Sequence, residues 1–175
     1  MERKDMSPRD HMLLTCLSCL PQKILSMHGK ENVTEFVLHE LCSKQCFNLT
    51  KAAYFIDNPD FDCLKGVTGF SQKDCTIDQK EKWSTPEQFS DYMNKCSFNK
   101  QVRAIQHPSA TRAGVKPENI VAGLAQQLDL ENPSFCTWNL KHDNQGMLIF
   151  QRGDTDKIDD YLNNGLCLLA FCPVY

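Results

Sequence analysis

The sequence lacks the features that would place it directly in a simple functional class. It has no internal repeat, no low-complexity tract, no membrane-spanning segment and no block of like charge longer than a few residues. Its 19 Lys and Arg against 22 Asp and Glu give a net charge of −3, which does not favour nonspecific attraction to nucleic acid or to an anionic membrane. No glycine-rich phosphate loop and no Ser/His/Asp constellation is present, so no catalytic motif points to an enzyme.

The rest of the composition is that of an ordinary globular protein. The chain has 175 residues, of which 41% are apolar and 23% are charged. These values exclude collagen, coiled coil and wholesale disorder, and the length suits one hydrophobic core better than two. We therefore predict a single domain over residues 1–175.

Ten cysteines are the one unusual number. An even set suggests disulfides in an exported chain, but the first residues do not resemble a signal peptide. Ser7, Pro8 and Asp10 instead form a capping-box pattern that opens a helix. We therefore predict a cytoplasmic chain whose thiols are reduced.

Close cysteine pairs raise a second possibility, a metal-binding or redox-active protein. A zinc site built from thiolates needs glycine-turned knuckles, which these pairs lack, so buried structural thiols are favoured over a metal site. The cysteine-rich alternative nevertheless stays open. The pairs are Cys16/Cys19, Cys42/Cys46 and Cys167/Cys172.

Hydrophobic periodicity predicts two helices and a hairpin in the first half of the chain. The first helix carries an apolar stripe and is ended or kinked by Pro21. The second is capped by Asn32, with Glu35 three residues later. A strand over Ala52–Ile56, an Asp-led turn and a return strand over 63–70 then form a hairpin.

The pattern is weaker in the middle of the chain and recovers near the end. A short helix opens at Thr85, Val102–Ile105 is predicted as a strand, and a helix opens at Pro117. A second hairpin joins strands over 135–140 and 147–151. A continuous closing helix is predicted over Thr155–Phe171, with a short helix followed by a strand as its alternative.

Two other motifs have simpler explanations than the functions they resemble. The segment Ala110–Leu124 is similar to a helix-turn-helix, but Pro108 leaves too little room for the first helix. Asp57, Asp60 and Asp62 lack the glycine and closing glutamate of a calcium loop, so turn formation explains them.

Two stretches of the chain resemble a GAF domain. In that family an amphipathic helix runs into a strand such as Ala52–Ile56, an Asp-led tight turn comes next, and the return strand ends near a glycine such as Gly69. Residues 31–70 match this opening, and residues 135–171 resemble the late hairpin and closing helix. The Asp-Glu dipeptide of the cyclic-nucleotide subgroup is absent, so cyclic nucleotide binding is not expected.

The resemblance implies an α+β fold, a GAF-like antiparallel sheet with the N- and C-terminal helices packed on one face. It implies a small-molecule-sensing or regulatory domain in signal transduction, without catalytic activity, that forms part of a longer regulator. We accordingly expect an unidentified small-molecule ligand, a homodimer formed through the terminal helices, and an output domain or partner protein. No resident cofactor, direct nucleic-acid contact or membrane contact is expected. An interaction module with a vestigial pocket stays open.

The resemblance also locates the predicted pocket. Trp83–Leu128 would close it over a sheet floor that includes residues from Phe135–Phe150, and no metal site is predicted. Arginine side chains there favour a carboxylate or phosphate. A histidine could ligate haem iron or anchor an anion, although the proline after it suits an exposed loop equally well. The residues predicted to share this cavity are Tyr92, Cys96, Arg103, His107 and Arg112, with Trp138 as a stacking surface.

Overall fold

In a computed structural model of the chain, a five-stranded antiparallel sheet lies between two layers of helices. The structure describes residues 6–27, 29–30, 32–74, 83–153 and 161–172. Its helices are α1 (Pro8–Ser26), α2 (Val33–Cys42), α3 (Pro86–Lys95), α4 (Ser97–Arg103), α5 (Pro117–Gln127) and α6 (Leu162–Leu166), with a 3₁₀ helix over Cys167–Phe171. Its strands are β1 (Leu49–Asn58), β2 (Cys63–Ser71), β3 (Gln106–His107), β4 (Ser134–Asn139) and β5 (Gln145–Arg152).

The strands have the order β3–β2–β1–β5–β4 across the sheet. The two predicted hairpins, β1–β2 and β4–β5, are therefore joined through the pairing of β1 with β5. Alternation along β1 directs Tyr54 to one face of the sheet and Phe55 to the other, so both faces carry apolar side chains that need cover. This architecture confirms the predicted α+β class.

The first helical layer contains the terminal helices α1 and α6 together with α2. The predicted capping box is present at the start of α1, because the Ser7 side chain accepts from the Asp10 backbone while the Asp10 carboxylate accepts from Ser7. Leu13 and Leu20 on α1 and Leu166 on α6 are buried in the same cluster as Tyr54. The N- and C-terminal helices thus lie on one face, as expected.

The second layer, α4 and α5, covers the opposite face. Helix α4 lies so close to β2 that a Cβ built on Gly66 would be 1.9 Å from the carbonyl oxygen of Val102. A Cβ on Gly69 would lie 2.6 Å from a methyl carbon of the same valine. The two glycines are therefore required by close packing.

Several local predictions were wrong. Val102 lies in α4, not in a strand over Val102–Ile105, because its side chain packs against the glycines of β2. Of the two effects predicted for Pro21, only the ending of the helix is wrong, because α1 continues through Pro21 to Ser26 while Leu20 and Met27 remain buried on the same cluster. By contrast, the segment at Ala110 forms turns and not a helix, which agrees with the rejection of a helix-turn-helix there.

The two remaining differences concern the ends of helices. The Asn32 side chain does not cap α2 and instead donates to the Pro86 carbonyl, while Glu35 is buried. Over the described part of the predicted closing helix, α6 passes into a 3₁₀ helix rather than continuing as α-helix or becoming a strand. Residues 155–160 of that prediction lie outside the described residues.

Substituting Gly66 with alanine should destabilise the protein by at least about 2 kcal/mol, because the added methyl group forces backbone apart at the α4–β2 contact. Gly123→Ala is the matched control, since a Cβ at Gly123 in α5 meets no atom within 4 Å. That change should stabilise by about 0.5–1 kcal/mol through helix propensity. Urea unfolding of both variants tests the packing, and equal effects would contradict it.

Candidate functional site

A groove of about 390 Å³ opens between α5 and the segment after β3. Its wall on the sheet side consists of His107 and the loop after it, and its opposite wall is the exposed edge of α5. Leu64 of β2 forms the floor. The full lining is Leu64, His107, Pro108, Ser109, Ala110, Ala113, Val115, Asn119, Ile120, Gly123, Leu124 and Gln127.

Two carboxylates, Asp57 near the end of β1 and Asp62 in the β1–β2 turn, hold the loop wall in place. The Asp57 carboxylate accepts from the backbone N–H and the hydroxyl of Thr111, both at 2.8 Å. Asp62 accepts from the backbone N–H of Ser109 at 3.1 Å. Asp60 and Asp62 lie in the predicted turn, where Asp62 has a φ of 48°, whereas Asp57 belongs to β1 and not to the turn. The side chains of Asp57 and Asp62 also fasten a distant loop.

The mouth of the groove carries one hydrogen-bonding pair between its walls. His107 lies in β3, opposite Leu64 of β2, and its Nε2 is 3.4 Å from Oε1 of Gln127 on α5. Both side chains are exposed, so both can exchange this contact for one to a bound molecule. Deeper in the groove, the buried Ser109 hydroxyl accepts from the backbone N–H of Arg112.

The lining is mainly apolar and carries no fixed charge. Within the described part of the chain, none of the groove residues is Asp, Glu, Lys or Arg. Polar contacts are available from the His107 imidazole, the amides of Asn119 and Gln127, and Ser109. Ligand pockets commonly have such an apolar wall with a few convergent polar groups, and a volume of about 300–1,000 Å³.

Arg103 lies elsewhere, at the exposed end of a polar network beneath α2. Its guanidinium is 2.7 Å from the carboxylate of Glu35, a residue that is only 2% exposed. Asn99 donates to the same carboxylate at 3.2 Å and accepts from the backbone N–H of Gly69. Burial raises the pKa of Glu35 above its usual 4.5, while Arg103 and then Asn99 act to lower it. Arg103 thus contacts a carboxylate of the chain itself and lies outside the groove.

Tyr92 and Cys96 are brought together, but in a separate crevice of about 10 Å³, the size of one water molecule. This crevice also touches His39, whose ring makes T-shaped contacts with the rings of Phe70 and Phe89. The Tyr92 hydroxyl donates to the backbone carbonyl of Asp74.

Trp138 and Arg112 complete the set of predicted residues. Trp138 stacks on Tyr54, with ring centroids 5.6 Å apart, and both belong to the cluster under the terminal helices. Arg112 is exposed on the loop after β3, next to the groove but outside its lining. The six predicted residues thus do not share one cavity, and only His107 lines the groove.

Most residues that line the groove were therefore not among those predicted from the sequence. The walls do come from Trp83–Leu128, whereas the floor is Leu64 of β2 rather than residues of Phe135–Phe150. Asn119, Gly123 and Gln127 recur at intervals of four along α5, a spacing that could have marked them as one helix edge. Ser109 gave no signal, because its burial depends on the distant aspartates.

The described residues also limit two other functions. None of their helices is both long and apolar enough to cross a membrane. No group of three or more His, Cys, Asp or Glu among them is arranged to hold a metal ion.

Comparison with known proteins supports the fold assignment. No family model matches the sequence, and no curated protein matches it. The structure is similar to the GAF domain of a phosphoenolpyruvate-protein phosphotransferase from Coxiella burnetii, with a TM-score of 0.52 and 12% sequence identity. The match covers 94% of this chain and 90% of that one. At this level of identity the likeness concerns the fold, which is GAF-like.

Substituting Arg103 with methionine should destabilise the protein by about 3 kcal/mol near neutral pH, the lower end for a broken buried pair, since Arg103 itself is partly exposed. The pKa of Glu35 is raised in the folded state, so ionisation of this carboxyl lowers the free energy of unfolding. The loss is absent below pH 4.5 and develops as the pH rises through the raised pKa. Without Arg103, ionisation of the buried Glu35 destabilises the fold more strongly. The deficit of the variant should therefore shrink as the pH falls towards 4.5.

Urea unfolding across this pH range measures the effect. Arg112→Met, which removes an exposed arginine outside the network, is the matched control and should change stability little at any pH. A deficit of Arg103→Met that is independent of pH would contradict the assigned role of Glu35.

Proposed function

We propose that this chain is a small-molecule-sensing, regulatory domain without catalytic activity, which acts in the cytoplasm as the sensory part of a longer regulator. The groove between α5 and the loop after β3 carries this proposal, because it has the size and mixed lining of a ligand site. The similarity of the fold to a GAF domain also supports the proposal. Binding would act by population shift, the ligand favouring one of two arrangements of the domain.

The lining favours an uncharged ligand with an apolar body. An anion or cation in this groove would lose hydration without a countercharge among the described lining residues, which is costly. An uncharged molecule can bury its apolar surface against residues such as Ile120 and Leu124. Its polar edge can replace the contact between His107 and Gln127. This differs from the carboxylate or phosphate expected from the arginines.

We also propose that the domain forms a homodimer through its terminal helices and acts on an output domain or partner protein. Large apolar side chains are exposed here, Leu25 of α1 at 73% and Phe171, in the 3₁₀ helix that follows α6, at 74%. Leu25→Lys should shift a dimer towards monomer in sedimentation equilibrium, whereas Thr15→Lys on the same helix changes no apolar surface. A wild-type chain that is monomeric at all concentrations would contradict the dimer.

The ligand proposal is tested by thermal shift with matched pairs of small probes. Benzamide against benzoate, and indole against indole-2-carboxylate, differ mainly in charge. The uncharged member of each pair should raise the melting temperature more, because only a ligand that binds the folded state stabilises it. Gly123→Leu, which projects into the groove from α5 without a clash at its Cβ, should abolish that shift.

Ala122→Leu is the control, since Ala122 is exposed on the same helix and does not line the groove. It should leave the shift unchanged. A stronger effect of the carboxylates would reject the uncharged class while keeping the sensing role. A shift that survives in Gly123→Leu would place binding elsewhere. No shift with any probe would favour an interaction module with a vestigial pocket.

A further inference from the structure

Strand β4 forms one edge of the sheet and has features that allow a further strand to join it. It pairs with β5 on one side and with no described strand on the other. Its six residues keep an unbroken register with β5, without a bulge, and include no charged residue and no proline. Charges, prolines and bulges are the usual means by which proteins block pairing at a sheet edge, and β4 contains none of them.

The turn after β4 shows which backbone groups of this strand face outwards. Leu140 donates its N–H to the carbonyl of Asn144 at 2.8 Å, so these two residues form a hydrogen-bonded pair within the hairpin. Hydrogen-bonded and non-hydrogen-bonded pairs alternate along an antiparallel ladder, so the next pair, Asn139 with Gln145, is of the second kind. The residues whose N–H and C=O groups point away from β5 are therefore Phe135, Thr137 and Asn139.

These three residues leave three donors and three acceptors along the edge. Within the part of the chain that the structure describes, no residue forms a hydrogen bond with any of these backbone groups. Thr137 and Asn139 are also exposed, so solvent and other molecules can reach the edge. A row of backbone groups of this kind is a template for strand addition.

We propose that β4 pairs antiparallel with β4 of a second copy of this chain, which joins the two five-stranded sheets into one. The outward groups match when the two-fold axis passes through Thr137, so that Thr137 faces its own copy and Phe135 faces Asn139 in both directions. Two hydrogen bonds in each of these three pairs give six in all. A register moved by one residue would set Asn139 against Pro133, which has no N–H to donate.

The composition of β4 favours a second copy over a different partner. In a two-fold pair each residue at the axis meets its own copy, so a charged residue there would be repelled by itself. None of the six residues of β4 carries a charge. Threonine facing threonine across two strands is in addition a favourable pair. The edge is thus self-complementary in charge as well as in hydrogen bonding.

This contact is separate from the proposed dimer of the terminal helices. A single added strand buries little apolar surface, so the contact belongs to the weak class of interfaces and forms at higher protein concentration than the helix dimer. Leu25→Lys should therefore be monomeric in dilute solution and should associate through β4 as its concentration rises towards about 1 mM. Edge pairing can be measured in this variant without a contribution from the helix dimer.

Sedimentation equilibrium of Leu25→Lys chains that also carry changes at Thr137 tests the pairing. Thr137→Lys and Thr137→Glu should each abolish association, because like charges then face each other at the axis. An equimolar mixture of the two should associate, since each lysine then faces a glutamate. Two matched controls should associate normally. Thr137→Val keeps the branched shape without a charge, and Gln106→Lys adds a charge to the opposite edge strand, β3.

Amide hydrogen exchange locates the contact in the wild-type chain. The N–H groups of Phe135, Thr137 and Asn139 should exchange more slowly as the protein concentration rises. This measurement decides the question even if a charged variant fails to fold.

Exchange of these three amides that is independent of concentration would overturn the proposal, and the edge would then be open to an extended segment of another protein instead. Undiminished association of Thr137→Lys would overturn it as well, as would a mixture of the lysine and glutamate variants that stays monomeric. None of these outcomes depends on ligand binding beside α5 or on the terminal helices. The edge contact and the proposed sensing function can therefore fail separately.

Discussion

The arrangement of this protein depends on one buried carboxylate, that of Glu35. A charge carried by α2 into the interior between helix and sheet needs a countercharge and a hydrogen-bond donor, since burial alone penalises it. Arg103 and Asn99 provide both, and both belong to α4. Arg103 also donates to the Val67 carbonyl of β2. The need of a single side chain thus determines where α4 crosses the sheet.

The position of α4 then determines the path of the residues after it. Once α4 lies against the glycines of β2, the chain leaves it at Ile105, whose carbonyl accepts from the backbone N–H of Gly66. The strand β3 begins at once and pairs with the same part of β2, which brings His107 opposite Leu64. The candidate ligand groove is built on this short strand. The location of the groove is therefore a consequence of the contacts that α4 makes with Glu35 and with the glycines of β2.

Sequence patterns predicted the elements whose signals are local. Both hairpins and the amphipathic helices are set by alternation, turn residues and capping, all of which act within a few residues. The strand predicted at Val102 failed because a β-branched residue is only weakly disposed to a strand, and contact with Gly66 and Gly69 outweighs that preference. The contact that places Val102 in a helix thus depends on two glycines of another element, β2.

The same limit applied to the predicted site. Arg103 was predicted to bind the carboxylate or phosphate of a ligand, and the sequence could not show that its guanidinium contacts the carboxylate of Glu35 in the fold. Tyr92 and Trp138 were predicted to bind a ligand because of the chemistry of their side chains. Each side chain instead contacts another residue of the fold. Choosing residues by chemical type cannot distinguish a ligand site from an internal one, because both use the same hydrogen bonds and ring contacts.

The fastening of the groove has a mechanical consequence. Its loop wall is bonded through Asp57 and Asp62 to the tip of the β1–β2 hairpin, so this wall moves only with the sheet. The opposite wall, α5, rests on the sheet through buried apolar side chains such as Val121 and Leu124. Apolar contacts resist separation but have little directional preference, so they allow small sliding movements. The two walls of the groove therefore differ in stiffness. The loop wall is held rigidly to the sheet, whereas α5 can slide slightly along its own axis.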